Sequence, residues 1–471
     1  MKGDFTRITF DPTKHYSRVL EQQGRVQLDS DFNEMNDITR YFLRRLAADL
    51  IGPHGGPGTG FNVEAVKDKD NQDILRDFGV TVGHYYVDGV LCENEAQMLF
   101  TEQSGFRNSD NLENNKTYLA YLDVWERHVT PFEDENENRI GIREVALRGP
   151  DTATRAQVVW QVKSRPVTAA VINRLTVADI EKAYESFQKL LAETALGIGQ
   201  LRARAIKPDA QDEPCLISPE ARYRGAENQL YRVEIHHGGI ALPSGDRTNV
   251  NIDPDKLATF KWSRENGSVL FPIVKRQGEV ITLRHLGYES RFGLRPDDWI
   301  EVVDDDYVLQ NRAEPLLQVK EVDRDGKRVT LKTAPASLVG TDPAKHPLVR
   351  RWDQNKGELK EGAVPVVEGS GDDDSDWINL EDGVQIQFPP VDAGGAGQTQ
   401  PAYRTGDYWL IPARVATGDV EWPGPPGNPL PRPPHGVEHA FAPLAIVSIN
   451  ATGTVKQEHD LRRVIKQLWL P

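Results

Sequence analysis

The stretch Tyr85-Tyr86-Val87-Asp88-Gly89-Val90-Leu91-Cys92 decides the class of this fold. Two β-prone halves flank an Asp-Gly pair, which readily supplies the two left-handed residues of a tight hairpin turn. The same grammar recurs downstream. Leu316 to Val322, Asp325-Gly326 and Arg328 to Leu331 read as a second hairpin, and Trp377 to Leu380, Glu381-Asp382-Gly383 and Val384 to Phe388 as a third. Tyr118 to Val124 and Val158 to Val162 are further strand candidates, and Phe441 to Ile449 reads as the last buried strand. With 39 Gly and 31 Pro among 471 residues, the chain carries the turns that many short strands need.

Two helical patterns interrupt the strands. Phe32, Met35, Ile38, Phe42, Leu46 and Leu50 recur at steps of three and four, so they share one helix face. Asp29, Ser30 and Asp31 are candidate N-caps, Glu34 stands in capping-box position after Asp31, and Gly52-Pro53 ends the run. Asn33, Asp37, Arg40, Arg44, Arg45 and Asp49 occupy the other face, so the apolar stripe needs a surface from this chain or from a neighbour. Lys2 to Gln27 reads as an extended arm. The second pattern opens at Thr176 and Asp179 and places Ile180, Tyr184, Phe187, Leu191 and Ala195 on one seam.

The fold expected is therefore mainly β: several small sandwich or barrel-like domains, an N-terminal amphipathic helix and a second, inserted helix. Composition shifts divide the chain into an arm and helix (1–60), a first β domain (61–165), a helical insertion (166–212), a second β domain (213–360) and a C-terminal β region with a Pro-rich loop (361–471). A net charge of −15 argues against a chain built to neutralise nucleic-acid phosphates. Two cysteines, Cys92 and Cys215, cannot make a disulfide framework and read as buried free thiols. No apolar run reaches the ~18 residues of a membrane span, and the first residues lack a signal-peptide core, so folding in a reducing cytoplasm is expected.

Catalytic patterns are weak. His435-Gly436-Val437-Glu438-His439 matches the inverted zinc-protease pattern, but that chemistry needs both histidines on a helix, and Pro433, Pro434, Gly436 and Pro443 oppose one. Asp372 to Asp376 and Asp134 to Asn138 alternate carboxylates as calcium loops do, yet Trp377 and Arg139 stand where the turn glycine belongs. The Gly-rich loop after Gly52 follows a helix, whereas a phosphate loop opens one. Nine Trp and thirteen Tyr could stack on sugars, which keeps a carbohydrate-binding or carbohydrate-cleaving module as an alternative function. No catalytic residue, cofactor or metal is assigned.

Longer segments are more specific. They include Lys2-Gly3-Asp4-Phe5-Thr6-Arg7, Gln22 to Glu34, Leu122-Asp123-Val124-Trp125-Glu126-Arg127-His128-Val129-Thr130, Glu227 to His236, Phe260-Lys261-Trp262-Ser263-Arg264-Glu265-Asn266-Gly267-Ser268 and Tyr403 to Arg414. Together they resemble an uncharacterised family of structural proteins encoded with bacterial phage-tail-like contractile injection systems. The resemblance implies a non-enzymatic component of such a particle, at its baseplate or distal end. It also implies multi-copy partners among baseplate, spike or fibre subunits, with no nucleic acid and no membrane insertion. Assembly in the bacterial cytoplasm is expected, with an extracellular destination left open for the finished particle. The assembly interface expected on the arm comprises Phe5, Phe10, His15, Tyr16, Arg25, Leu28 and Phe32, ordered by a neighbouring subunit because an isolated extended arm loses much entropy on ordering.

Overall fold

The computed structural model describes residues 1–134, 141–147, 151–192, 197–206, 222–243, 253–287, 292–354, 359–371, 376–390, 402–425 and 428–465. Most of the two acidic runs, together with Gly149, Pro150, Ala195 and Cys215, lie outside these residues. The fold is mainly β. It forms two compact units, each drawn from separate stretches of chain. Unit 1 holds Met1–Arg7, Thr130–Thr154 and Ala195–Val437; unit 2 holds Ile8–Val129, Arg155–Thr194 and Glu438–Pro471. The first sequence segment, 1–60, is thus divided after Arg7, and the last, 361–471, after Val437.

In unit 2 the largest sheet is antiparallel and runs Val455–Asp460, His439–Ile449, Lys116–Val129, Arg155–Pro166. Alternation gives it two apolar faces. Tyr118, Ala120, Leu122 and Val124 face a core with Phe61, Phe78, Tyr85 and Phe100. Leu119 and Ile446 face the other way, under Leu175, Phe187 and Leu191 of two helices, Ala169–Leu175 and Ile180–Ala192. The inserted helix is therefore a pair, and Thr176 does not open the second member. Its hydroxyl donates to the Ile172 carbonyl at 2.9 Å and so closes the first. Asp179 accepts from the Lys182 amide and caps the second. After the last buried strand two more follow, Val455–Asp460 and Val464–Ile465, largely exposed.

The helix called α1 here, Asp29–Ile51, belongs to unit 2. Its boundaries correct the expected cap: Leu28 is the N-cap residue and makes no side-chain cap bond, and Asp29 and Asp31 lie in the first turn. Glu34 turns away from the helix end and accepts from the Thr9 hydroxyl at 2.5 Å.

Unit 1 contains a closed barrel of six antiparallel strands in the order Leu270–Gln277, Val280–Leu283, Arg328–Leu331, Leu317–Asp323, Trp299–Val303, Leu348–Trp352, the last pairing with the first. Closure leaves no free edge. Phe271, Ile281, Ile300, Val319, Val329 and Val349 fill it. A five-stranded sheet has Gln229–His237 at its centre, between Thr259–Ser263 and Tyr408–Arg414. One face of that sheet, with Tyr231, Val233, Phe260, Trp262, Trp409 and Ile411, packs on Ala203, Ala205, Val384 and Ile386 of a three-stranded sheet.

Candidate functional site

The other face of the five-stranded sheet is polar and buried. Period-2 alternation along Gln229–His237 sends Tyr231, Val233 and Ile235 into the apolar core and leaves Arg232, Glu234 and His236 on the opposite side. Lys261 stands across from Glu234 and Ser263 across from Arg232 on the next strand. Glu301 and Trp352, from barrel strands, complete the group: the Lys261 ammonium donates to Glu301 at 2.6 Å, and the Trp352 indole N–H donates to its other oxygen at 3.0 Å.

The tip of the chain's own arm fills this socket. Lys2 Nζ lies 2.9 Å from Glu234 Oε1, closer than Lys261 at 3.4 Å. Arg232 Nη1 donates to the Met1 carbonyl at 3.1 Å, and the Asn266 amide donates to the carbonyls of Met1 and Gly3 at 3.2 and 2.9 Å. Gly3 is buried, and Phe5 packs on Leu230, Tyr408, Leu410 and Val437. Arg414 donates to the Thr6 carbonyl at 2.8 Å, and Arg7 pairs with Glu421 at 3.0 Å. Backbone carbonyls, one cation and one ring are thus all read by fixed side chains, as in a peptide-binding site.

The electrostatics follow from burial. Desolvation pulls the Lys2 ammonium down to about 8, against the pull of Glu234. Burial opposes the charge on Glu234 too, but Lys2, Arg232 and Lys261 hold its carboxyl well below the usual range. Glu301 behaves alike: burial opposes ionisation, yet Lys261 and Lys2 hold it at about 2. A carboxylate held ionised between fixed cations is a poor proton shuttle and a good anchor.

Beyond Arg7 the arm changes character. Phe10 is half-buried with its ring 5.7 Å from Tyr41 of α1. Residues 12–29 are exposed except Val19, and Val26 reaches 82% exposure. Of α1, Ser30 and Ile38 are buried, while Phe32, Met35, Phe42, Leu43, Leu46 and Leu50 stay exposed, Phe42 at 65% and Leu50 at 76%. The helix is held instead by its polar side, where Arg40 and Arg44 both reach Glu126, the latter at 2.7 Å. Of the seven residues expected on an external interface, Phe5 is therefore bound within unit 1 and Phe10 rests on α1. His15, Tyr16, Arg25, Leu28 and Phe32 face solvent.

The remaining candidates are dispersed into structural roles. Residues 433–438 are irregular and His439 opens a strand, so the zinc-protease pattern has no helix beneath it. His435 Nδ1 accepts from the Leu410 amide, and His439 Nδ1 bonds Asp123 at 2.7 Å. Trp125, Trp262, Trp352, Trp377 and Trp409 are buried, and Trp160, Trp299 and Trp422 are half-buried. The Cys92 thiol is buried and pushed up to about 12. A cavity of about 250 Å3 beside Arg107, Asp110 and Lys163, and one of about 110 Å3 beside His236 and His237, are smaller than the ~300 Å3 at which small-molecule sites begin. Among the described residues, no cluster of three or more His, Cys, Asp or Glu could hold a metal ion, and no helix is long and apolar enough to cross a membrane.

A family model described as "Family of unknown function (DUF6519)" matches residues 1–180 and 173–458, which is nearly the whole chain. The chain belongs to the DUF6519 family. No curated protein and no solved structure matches it. For this DUF6519 member the residues missed by sequence reasoning are Arg232, Glu234, Lys261, Asn266 and Glu301. Arg232 and Glu234 alternate with Tyr231 and Val233 as a half-exposed strand would, and Lys261 alternates with Phe260 and Trp262 in the same way. A charged face read one strand at a time implies water, and nothing local says that another segment covers it.

Proposed function

We propose that this DUF6519 protein is a non-enzymatic structural component of a bacterial phage-tail-like contractile injection particle, built in at the baseplate or distal end. It would join other particle subunits, in several symmetric copies, through the outer side of its arm and α1. The observation that carries this reading is the apolar stripe of α1. Phe32, Phe42, Leu46 and Leu50 share a helix face and stand in solvent, continuous in sequence with exposed Tyr16, Leu20, Val26 and Leu28. Soluble proteins rarely leave a contiguous apolar patch of this kind open unless it receives a partner. The segments that resemble proteins of contractile injection loci supply the class of partner, a baseplate, spike or fibre subunit. Assembly in the bacterial cytoplasm belongs to the same proposal.

The test uses the exposed stripe. Phe42→Glu and Leu50→Glu alter residues that support no core, so each should leave the melting temperature within a few degrees of wild type. Both variants should fail to co-sediment with particles from cells carrying the complete injection locus. Incorporation equal to wild type would overturn the reading.

A further inference from the structure

We infer that the socket on unit 1 is an intermolecular peptide-binding site, and that its partner is the N-terminal segment of a second copy of this chain. It rests on the socket alone and stands even if the outer face of α1 binds nothing.

Three observations lead there. First, the socket is a built site. Arg232, Glu234, Lys261, Asn266 and Glu301 are all buried, and they read Lys2 by charge and the Met1 and Gly3 carbonyls by hydrogen bonds. Such recognition depends on the peptide and not on which molecule delivers it. Second, unit 1 does not supply this peptide from its own continuous chain. Met1–Arg7 is separated from the next stretch of unit 1, Thr130–Thr154, by Ile8–Val129 of unit 2. The peptide is part of unit 1 but is joined to the rest of it only through a long intervening stretch of chain. Third, the stretch that follows the peptide is mostly exposed. Thr9 bonds Glu34, Phe10 touches Tyr41, and residues 12–29 are exposed except Val19. Released from α1, residues 8–28 can extend to about 70 Å, far enough for the tip to enter the socket of a neighbour.

Exchange of an identical element conserves every contact of the closed form, so the balance between closed and exchanged forms is set by concentration and tether geometry. In an assembly that holds copies side by side, the exchanged form links each subunit to the next in a head-to-tail sense. A ring closes if the rotation between copies permits it.

The test needs two partners that cannot close on themselves. The acceptor lacks residues 1–7 and keeps an intact socket. The donor keeps its arm and carries Glu234→Gln, with Asn266→Ala as a second donor should the first misfold by near-ultraviolet circular dichroism. A peptide of residues 1–12, labelled at its C-terminal end, reports on the acceptor's socket by fluorescence anisotropy. The peptide should bind, and its Lys2→Glu version should bind at least about tenfold more weakly, since the ammonium at Glu234 is replaced by a like charge. Mixing donor and acceptor should give a 1:1 complex by native mass spectrometry, dispersed by excess peptide and absent when the donor carries Lys2→Glu. No peptide binding by a folded acceptor would overturn the site. Peptide binding without a complex from a folded donor would restrict it to closure within one chain and overturn the exchange. Neither outcome touches Phe42 or Leu50, so failure here is distinct from failure of the assembly face.

Discussion

At the scale of single residues, burial sets which groups titrate near neutrality. Glu381 sits in the turn of the third hairpin, accepting from the Tyr231 hydroxyl at 3.2 Å and from Arg264 at 2.8 Å. Burial, aided by Asp353 and Asp382, outweighs Arg264 and raises its carboxyl to about 7 from an ordinary value of 4.5. The folded state therefore holds this proton more tightly than the unfolded chain. The associated stability is fully present below about 4.5 and is lost as pH rises through about 7. Three buried imidazoles act with the opposite sign. His54, His236 and His435 are each pulled down to about 4, chiefly by desolvation, so their contribution is present above 6.5 and lost as pH falls toward 4. The two effects overlap, and the useful quantity is the difference between proteins. Glu381→Gln should match wild type near pH 4.5 and gain on it as pH rises, by about 1–3 kcal/mol at pH 8 in urea unfolding. A difference that stays flat from pH 4.5 to 8 would refute the raised carboxyl.

At the scale of elements, the first hairpin shows what local chemistry can and cannot specify. Strands Gly83–Val87 and Val90–Asn94 pair Val87 with Val90, and the turn puts Asp88 at φ 47° and Gly89 at φ 73°, as Asp-Gly implies. The glycine has a second reason that no hairpin rule contains. A Cβ at position 89 would lie 2.1 Å from the Arg44 carbonyl oxygen of α1, so the turn is pressed against the helix backbone. Gly89→Ala should cost about 2 kcal/mol or more, from left-handed strain plus contact with a backbone atom. It should also raise amide exchange across α1 while leaving the barrel strands unchanged; unaltered exchange in α1 would show that the contact does not hold the helix. The second hairpin was legible as a hairpin but not in its turn. The left-handed residue is Lys327 at φ 52°, because the Asp323 carboxylate takes the Gly326 amide at 2.9 Å and sets a four-residue turn over 324–327. Thr176 misled for a related reason: a hydroxyl near Asp179 looks like a helix start, although it bonds backward to Ile172. The long strands were underestimated in length. Thr117 stays in the ladder of Lys116–Val129 opposite Ser448 and His128 opposite Ala156, partners no window of sequence contains.

At the scale of the whole molecule, discontinuity is what the sequence hid. Strand Leu270–Gln277 closes the barrel on Leu348–Trp352, and the peptide at Lys2 meets Glu234, so the decisive contacts join residues far apart in the chain. Each unit nevertheless has its own core: Phe271, Ile281 and Val329 in the barrel of unit 1, Leu119, Phe187 and Ile446 beneath the helices of unit 2. Apolar clusters confined to one unit or the other give each unit its own reason to fold, and a single transition is then not required. Calorimetry should resolve two transitions, with a summed enthalpy larger than the van't Hoff value of either. They can be assigned by one substitution in each unit. Ile446→Ala empties space in a fully buried site and should cost about 2–5 kcal/mol, moving one transition down by roughly 5–15 °C. Lys2→Ala removes the nearest cation from Glu234 Oε1 and should move only the other. A substitution in the first two residues would then be felt by a barrel and a sheet that begin more than 200 residues later, because the tip of the arm is a structural part of unit 1. One transition displaced equally by both variants would show instead that the two cores melt together.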